Sequence, residues 1–279
     1  MIALLGGLVG ACCWAAATLC SARATRMIGS PSVLAWVMIV GLAVVAPTMV
    51  IVGVPSGLGA PEVGWLVVAG AGNVLGLLLT YAAFRIGKIS LVSPITSAEG
   101  AIAALLAVAT GEAIGVGSGI MLIVIAAGVA LASIGPGGGS GDQLRATLLA
   151  ASAALCFGAS LFATGRVSEA LPVVWAVIPA RALGVVAVAL PLAATKHLRL
   201  TRAALPLVVA AGLCEVAGFT AYAIGARHGI AISAVLASQF AALAVIAAHV
   251  LFHERITRLQ LAGVATIAFG VAALTALQA

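Results

Sequence analysis

From end to end the chain is a succession of apolar runs, each about twenty residues long, separated by short segments that hold nearly all of its charge. A run of that length, wound as a helix rising 1.5 Å per residue, crosses the roughly 30 Å hydrocarbon core of a bilayer. Inside hydrocarbon no water pairs with the backbone, so each run must satisfy its own amides and carbonyls, and only a helix does that segment by segment. Composition closes the alternative: 64% hydrophobic and 7% charged residues leave no polar surface for a water-soluble domain of 279 residues. The sequence therefore predicts an all-α, polytopic membrane protein.

Turn residues and charges divide the runs into ten spans, at about residues 2–21, 32–53, 62–84, 89–110, 117–134, 144–165, 172–194, 204–226, 230–252 and 259–277. The first ends at Ser21-Ala22-Arg23-Ala24-Thr25-Arg26, Gly53-Val54-Pro55-Ser56-Gly57 makes a turn, and Pro94 breaks the fourth. Thr257 and Gln260 have the spacing of a capping box that starts the tenth.

The chain also repeats itself. A shift of 142 positions lays Glu254 on Glu112, Gly270 on Gly128, Gly229 on Gly87, Arg227 on Arg85 and Gly218 on Gly76 without a gap. At 143 positions Cys156-Phe157 faces Cys13-Trp14 and Arg166 faces Arg23, while Trp175 pairs with Trp36. Such self-similarity marks a duplication. The only linker-like stretch, Gly135 to Asp142, falls between the copies. This gives a first five-helix repeat over 1–134, a Gly-rich linker over 135–143 and a second repeat over 144–279. Five is odd, so the second copy enters the membrane from the opposite side. Inverted repeats around a midplane site suit a protein whose two halves exchange conformations.

Loop charges set the orientation. Arg23, Arg26, Arg85, Lys88, Arg145, Lys196, Arg199, Arg202, Arg255 and Arg258 collect on one side, and only Arg166 and Arg227 on the other. The positive side is expected in the cytoplasm, with both termini outside. The net charge of +6 is thus a topology signal, and no nucleic-acid partner is expected. Cys12, Cys13, Cys20, Cys156 and Cys214 lie within apolar spans without CxxC spacing and read as small hydrophobes. Val9-Gly10-Ala11-Cys12 has the look of a lipoprotein cleavage site, but the positive leader is missing and the repeat needs this segment, so residues 1–20 are read as a span.

Two five-helix halves, with Gly111-Glu112 and His253-Glu254 each preceding a last helix that carries glycine, resemble the drug/metabolite transporter superfamily and its EamA-type members in particular. Leu251-Phe252-His253-Glu254-Arg255-Ile256-Thr257, with Gln260, Gly263 and Gly270, carries the likeness; the first half keeps Glu112 and Gly128 of that pattern. The resemblance implies a secondary transporter of small metabolites or drugs, with export favoured. It also implies cytoplasmic termini, opposite to the loop charges. Small four-helix relatives couple to protons through a glutamate in their first helix. Here Cys12, Cys13, Trp14 and Thr18 stand in that region instead.

Ionisable groups in mid-membrane are costly unless paired or hydrated, which makes Glu99, Arg181 and Glu215 the leading candidates for chemistry. Glu215 falls on Asn73 in the repeat, so a polar position recurs near the middle of both spans. It reads as the substrate or proton site, or else as a structural partner of Arg181. Glu99 follows Pro94 within Ser93-Pro94-Ile95-Thr96-Ser97-Ala98-Glu99, where proline frees a carbonyl; Ser238 and Gln239 align with Thr96 and Ser97. Trp14, Thr18, Tyr81 and Tyr222 complete the set of residues that could line a path. His249 and His253 are one turn apart, but with no third ligand no metal site is expected. The Gly-rich linker lacks the lysine of a phosphate-binding loop, so no nucleotide or other cofactor is expected.

The sequence thus predicts a secondary transporter in the inner (plasma) membrane, working as monomer or homodimer by alternating access, with a small-molecule substrate, and either coupled to a proton or solute gradient or running as facilitated exchange. A lipid-carrier flippase and, further off, a membrane-embedded enzyme are the other classes such a chain could belong to; an enzyme is not expected. Loop charge makes one prediction directly. A periplasmic reporter fused at Ala279 should be active and a cytoplasmic one silent; an active cytoplasmic reporter would reverse the orientation.

Overall fold

The computed structural model describes residues 1–55, 57–133, 141–252 and 257–278. Readings that rest on Gly135 to Ser140 or on His253, Glu254, Arg255 and Ile256 lie outside those described residues.

All the regular structure described is helical. The first half contains α1 (Ile2–Ile28), α2 (Ser30–Val52), α3 (Ala60–Ile86), α4 (Ile89–Thr96), α5 (Glu99–Ala109) and α6 (Val116–Ser133). The second contains α7 (Gly141–Ala170), α8 (Val173–Gly184), a π-helical turn over Val185–Ala189, α9 (Leu190–Ala194), α10 (Leu205–Ala226), α11 (Ile230–Ala237), α12 (Phe240–Phe252) and α13 (Arg258–Gln278). With α4–α5, α8–α9 and α11–α12 each forming one crossing, these make ten spans. Large apolar side chains such as Val50, Ile51, Leu105 and Ile123 are 70–85% exposed, which suits a lipid-facing surface and no other.

Two expectations are corrected. The first helix does not stop near residue 21. Ala22 to Arg26 continue it, and it ends only at Gly29, whose φ of 85° suits glycine. The fourth span breaks at Ser97–Ala98, a few residues beyond Pro94, and the ninth breaks at Ser238–Gln239, one position earlier in the repeat register, without any proline. Short polar side chains bond the carbonyls around each break. Thr96 donates to the Ser93 carbonyl at 2.9 Å and Ser97 to that of Pro94 at 2.8 Å. Ser238 and Gln239 both donate to the Val235 carbonyl, at 2.7 and 2.8 Å. Short polar side chains are what make a broken helix tolerable at membrane depth.

The halves pack through exchanged partners. First-span α1 lies along α10, and its counterpart α7 lies along α3, the counterpart of α10. The second span packs on the seventh, the fourth on the ninth and the fifth on the tenth. Exchanging the halves leaves this pattern unchanged.

Details obey the same rule. Trp14 of α1 lies on Gly218 of α10, where an added Cβ would sit 2.5 Å from the indole Nε1. Phe157 of α7 lies on Gly76 of α3, where a Cβ would come within 2.6 Å of the ring. Trp36 donates its indole N–H to the Arg199 carbonyl at 3.0 Å, and Trp175 donates to the Gly53 carbonyl at 3.1 Å, so each ties itself to the other half. Without a hydrophobic drive between helices in lipid, close approach at small residues supplies the cohesion.

A methyl at Gly218 meets a rigid ring that cannot yield cheaply. Gly218→Ala should cost about 1–3 kcal/mol in detergent-solubilised protein, read as a lowered thermal unfolding midpoint. Trp14→Leu in the same chain should recover part of the loss, and Gly64→Ala, where no atom lies within 4 Å, should cost nothing.

Candidate functional site

A cavity of about 50 Å³ lies between the halves. Its walls come from α1 (Trp14, Thr18, Ser21), α3 (Asn73, Thr80, Tyr81), the break between α4 and α5 (Thr96, Glu99), α7 (Phe157), α10 (Glu215, Phe219) and α12 (Phe240). That space holds a few waters. Repeat-related residues both belong to its wall: Trp14 with Phe157, and Asn73 with Glu215.

Of the residues singled out from sequence, Trp14, Asn73, Thr96, Glu99 and Glu215 line this cavity, and so do Thr18 and Tyr81. Arg181, Ser97, Tyr222 and Gln239 are buried but lie off its wall. Ser97 faces a separate apolar groove with Pro94, Ile125 and Ser238. Tyr222 is turned to the Leu161 carbonyl, to which its hydroxyl donates at 2.7 Å. Gln239 is occupied with the break in its own span.

Sequence reasoning missed Ser21, Thr80, Phe157, Phe219 and Phe240. Two of these were within reach of the repeat, because Thr80 aligns with Tyr222 and Phe157 with Trp14. The others carry no signal that separates them from ordinary packing.

Arg181 stands behind Glu215. Its Nη2 donates to the Glu215 carboxylate at 3.4 Å, its Nη1 approaches the Met38 sulfur at 3.6 Å, and its guanidinium lies 5.3 Å from the Phe219 ring centre. Both members of the pair are buried. Arg181 is wholly enclosed, and Gly41 gives it room: a Cβ there would be 2.9 Å from its Cδ. The cation therefore neutralises Glu215 from off the cavity wall, and its Nε–H is left without a hydrogen bond among the described residues.

Other polar groups at the wall lack partners. Both amide atoms of Asn73, the Thr80 hydroxyl and the Trp14 Nε1 are buried without a hydrogen bond among the described residues. Glu99 has no ion-pair partner among the described residues and begins α5, where the helix N-terminus offers it partial positive charge. Buried polar groups left open in this way are unusual unless water or a ligand completes them.

On one face of the bundle, Glu112 reaches from the first half to the second. Its two carboxyl oxygens accept the Ala231 amide at 3.1 and 3.3 Å, capping α11. Burial pushes this carboxyl above the usual range, and the amides of Ala231 and Ile230 hold it partly back. Arg227 works on the same face, donating to the Ser168 and Leu171 carbonyls at 2.6 Å each and thereby closing the end of α7. Among the described residues no group of three His, Cys, Asp or Glu could hold a metal.

A helical bundle of ten spans around a polar, aromatic-walled cavity defines a polytopic membrane protein built in two repeats. The family model of the EamA-like transporter family matches residues 1–134 and again 144–276, and the chain belongs to that family. A solved crystal structure superposes with a TM-score of 0.76 at 19% identity, covering 99% of this chain and 96% of its own, which is a likeness of fold. A search of curated protein sequences returns no match.

The Arg181–Glu215 pair gives a test of its own. Glu215→Leu alone leaves a buried charge uncompensated and should cost about 3–5 kcal/mol. Arg181→Met added to it should recover most of that stability in thermal unfolding. A single variant as stable as the parent would show that the pair carries no weight.

Proposed function

We propose that the chain is a secondary transporter that moves a small organic solute across the plasma membrane by alternating access, its two inverted repeats (1–134 and 144–279, joined by 135–143) rocking about the central cavity. The single observation that carries this reading is the cavity between the halves, walled by matched residues of both and holding polar groups that the protein leaves open. A site shared between related halves opens to either side when the halves exchange shapes. The exchanged helix partners and the breaks in the fourth and ninth spans supply surfaces along which such a change would run.

Solute leaves the cell in this reading, driven by a proton or solute gradient. Glu99 and Glu215 bind the solute or a proton, Arg181 neutralises Glu215, and Asn73, Thr96 and Trp14 position the solute. Ser97 and Gln239 act on the path only through the breaks they stabilise, and Tyr222 through the packing of Trp14, whose ring centre is 6.1 Å from its own.

A thermal-stability screen of the purified protein against metabolites would yield a stabilising solute, whose counterflow is then followed in proteoliposomes. Asn73→Leu is the decisive variant, because its amide makes no bond that the fold needs. It should unfold at the parent's temperature and transport about tenfold slower or worse, as expected for one lost polar contact. Counterflow at the parent's rate would remove the cavity from the transport path.

A further inference from the structure

We propose that the cavity selects a small organic monocation with a flat apolar body, with Glu99 as the counter-ion of its charged head. This rests on the transporter reading above and adds the substrate class. The first ground is charge. Two carboxylates, Glu99 and Glu215, stand on the cavity wall, and among the described residues the arginine near them, Arg181, lies off that wall and is ion-paired with Glu215. The wall thus carries one carboxylate without a cation among the described residues, only 4% exposed. A carboxyl in so poor a dielectric either holds a proton or takes a positive companion, the α5 N-terminus supplies only a fraction of a charge, and a cationic solute is the companion that the cavity side leaves room for. An anionic ligand would meet two carboxylates and no free cation.

The second ground is independent of Glu99. Trp14, Tyr81, Phe157, Phe219 and Phe240 surround the same space. Trp14 and Phe240 stand edge to face with ring centres 6.5 Å apart, while Trp14 and Phe219 are 4.9 Å apart. Electron-rich faces around a carboxylate are the surroundings in which an alkylammonium head is held. Phe219 already makes this contact with Arg181, which shows the wall accepting a cation over a ring. The open amide of Asn73 and hydroxyl of Thr80 add neutral donors and acceptors for the rest of the solute. They orient it without changing the preference in charge.

Three probes of similar size separate charge from shape: benzyltrimethylammonium, the neutral N,N-dimethyl-2-phenylacetamide and the anion phenylmethanesulfonate. Titration calorimetry on the purified full chain should give the cation at least about tenfold tighter binding than either of the others, the equivalent of one modest electrostatic contact. Glu99→Gln should remove that preference, and Glu99→Asp should keep its sign. Equal or tighter binding of the neutral or anionic probe, or an undiminished preference in Glu99→Gln, overturns the proposal. Should Glu99→Gln fail to fold, the wild-type series decides alone. Proteoliposomes keep the two readings apart. If they move neutral or anionic solutes and ignore the cation, the substrate class falls and the transporter stands. Glu99-dependent cation binding with no solute moved under any imposed gradient keeps the site and sinks the transporter.

Discussion

Hydrocarbon offers a backbone amide or carbonyl nothing to bond with, and this structure follows from that fact. Each crossing is helical because only a helix pairs its own backbone within one segment. Where the fourth and ninth spans break, the Pro94 carbonyl is taken up by Ser97 and the Val235 carbonyl by Ser238 and Gln239. The adjacent Glu99 and Phe240 face the cavity.

Cohesion between helices has to come from contact, since lipid tails are as apolar as the side chains they meet. The exchanged pairs show how this is met. Trp14 on Gly218 and Phe157 on Gly76 set large rings against backbone at equivalent points of the two halves, beside the cavity. A ring that packs on glycine on one side presents its edge or face to the cavity on the other. The same contacts that hold the bundle together therefore give the site its aromatic wall. Trp36 and Trp175 bind the halves again near the two membrane faces, each through one indole N–H.

Much of this was legible in sequence. Ten spans, two halves and the family likeness followed from run lengths, charge placement and the repeat around Glu112 and Glu254, because burial in lipid leaves a strong and simple pattern. Glu215, Asn73 and Glu99 stood out because polarity in mid-span is expensive and rare. Phe219 and Phe240 were not, since a phenylalanine that faces a cavity and one that faces lipid look alike in one dimension. Arg181 was recognised as a charge to be explained, but its side of Glu215 is a fact of three-dimensional packing. Ser97 and Gln239 were read as cavity lining from their alignment; they turn instead to the carbonyls of their own broken helices, a local bond that competes with any outward role.

What the sequence determined by itself was the solvent, the element type and the count of crossings, because each is set by local hydrophobicity over about twenty residues. The duplication added which residues must play equivalent parts. Tertiary structure alone decided which helix of one half meets which of the other, and hence that a cation backs Glu215 while Glu99 is left without one among the described residues. Those decisions turn on the approach of groups 34 to 143 positions apart along the chain, such as Arg181 with Glu215 and with Met38. No local pattern encodes such distances; only the packed bundle brings them about.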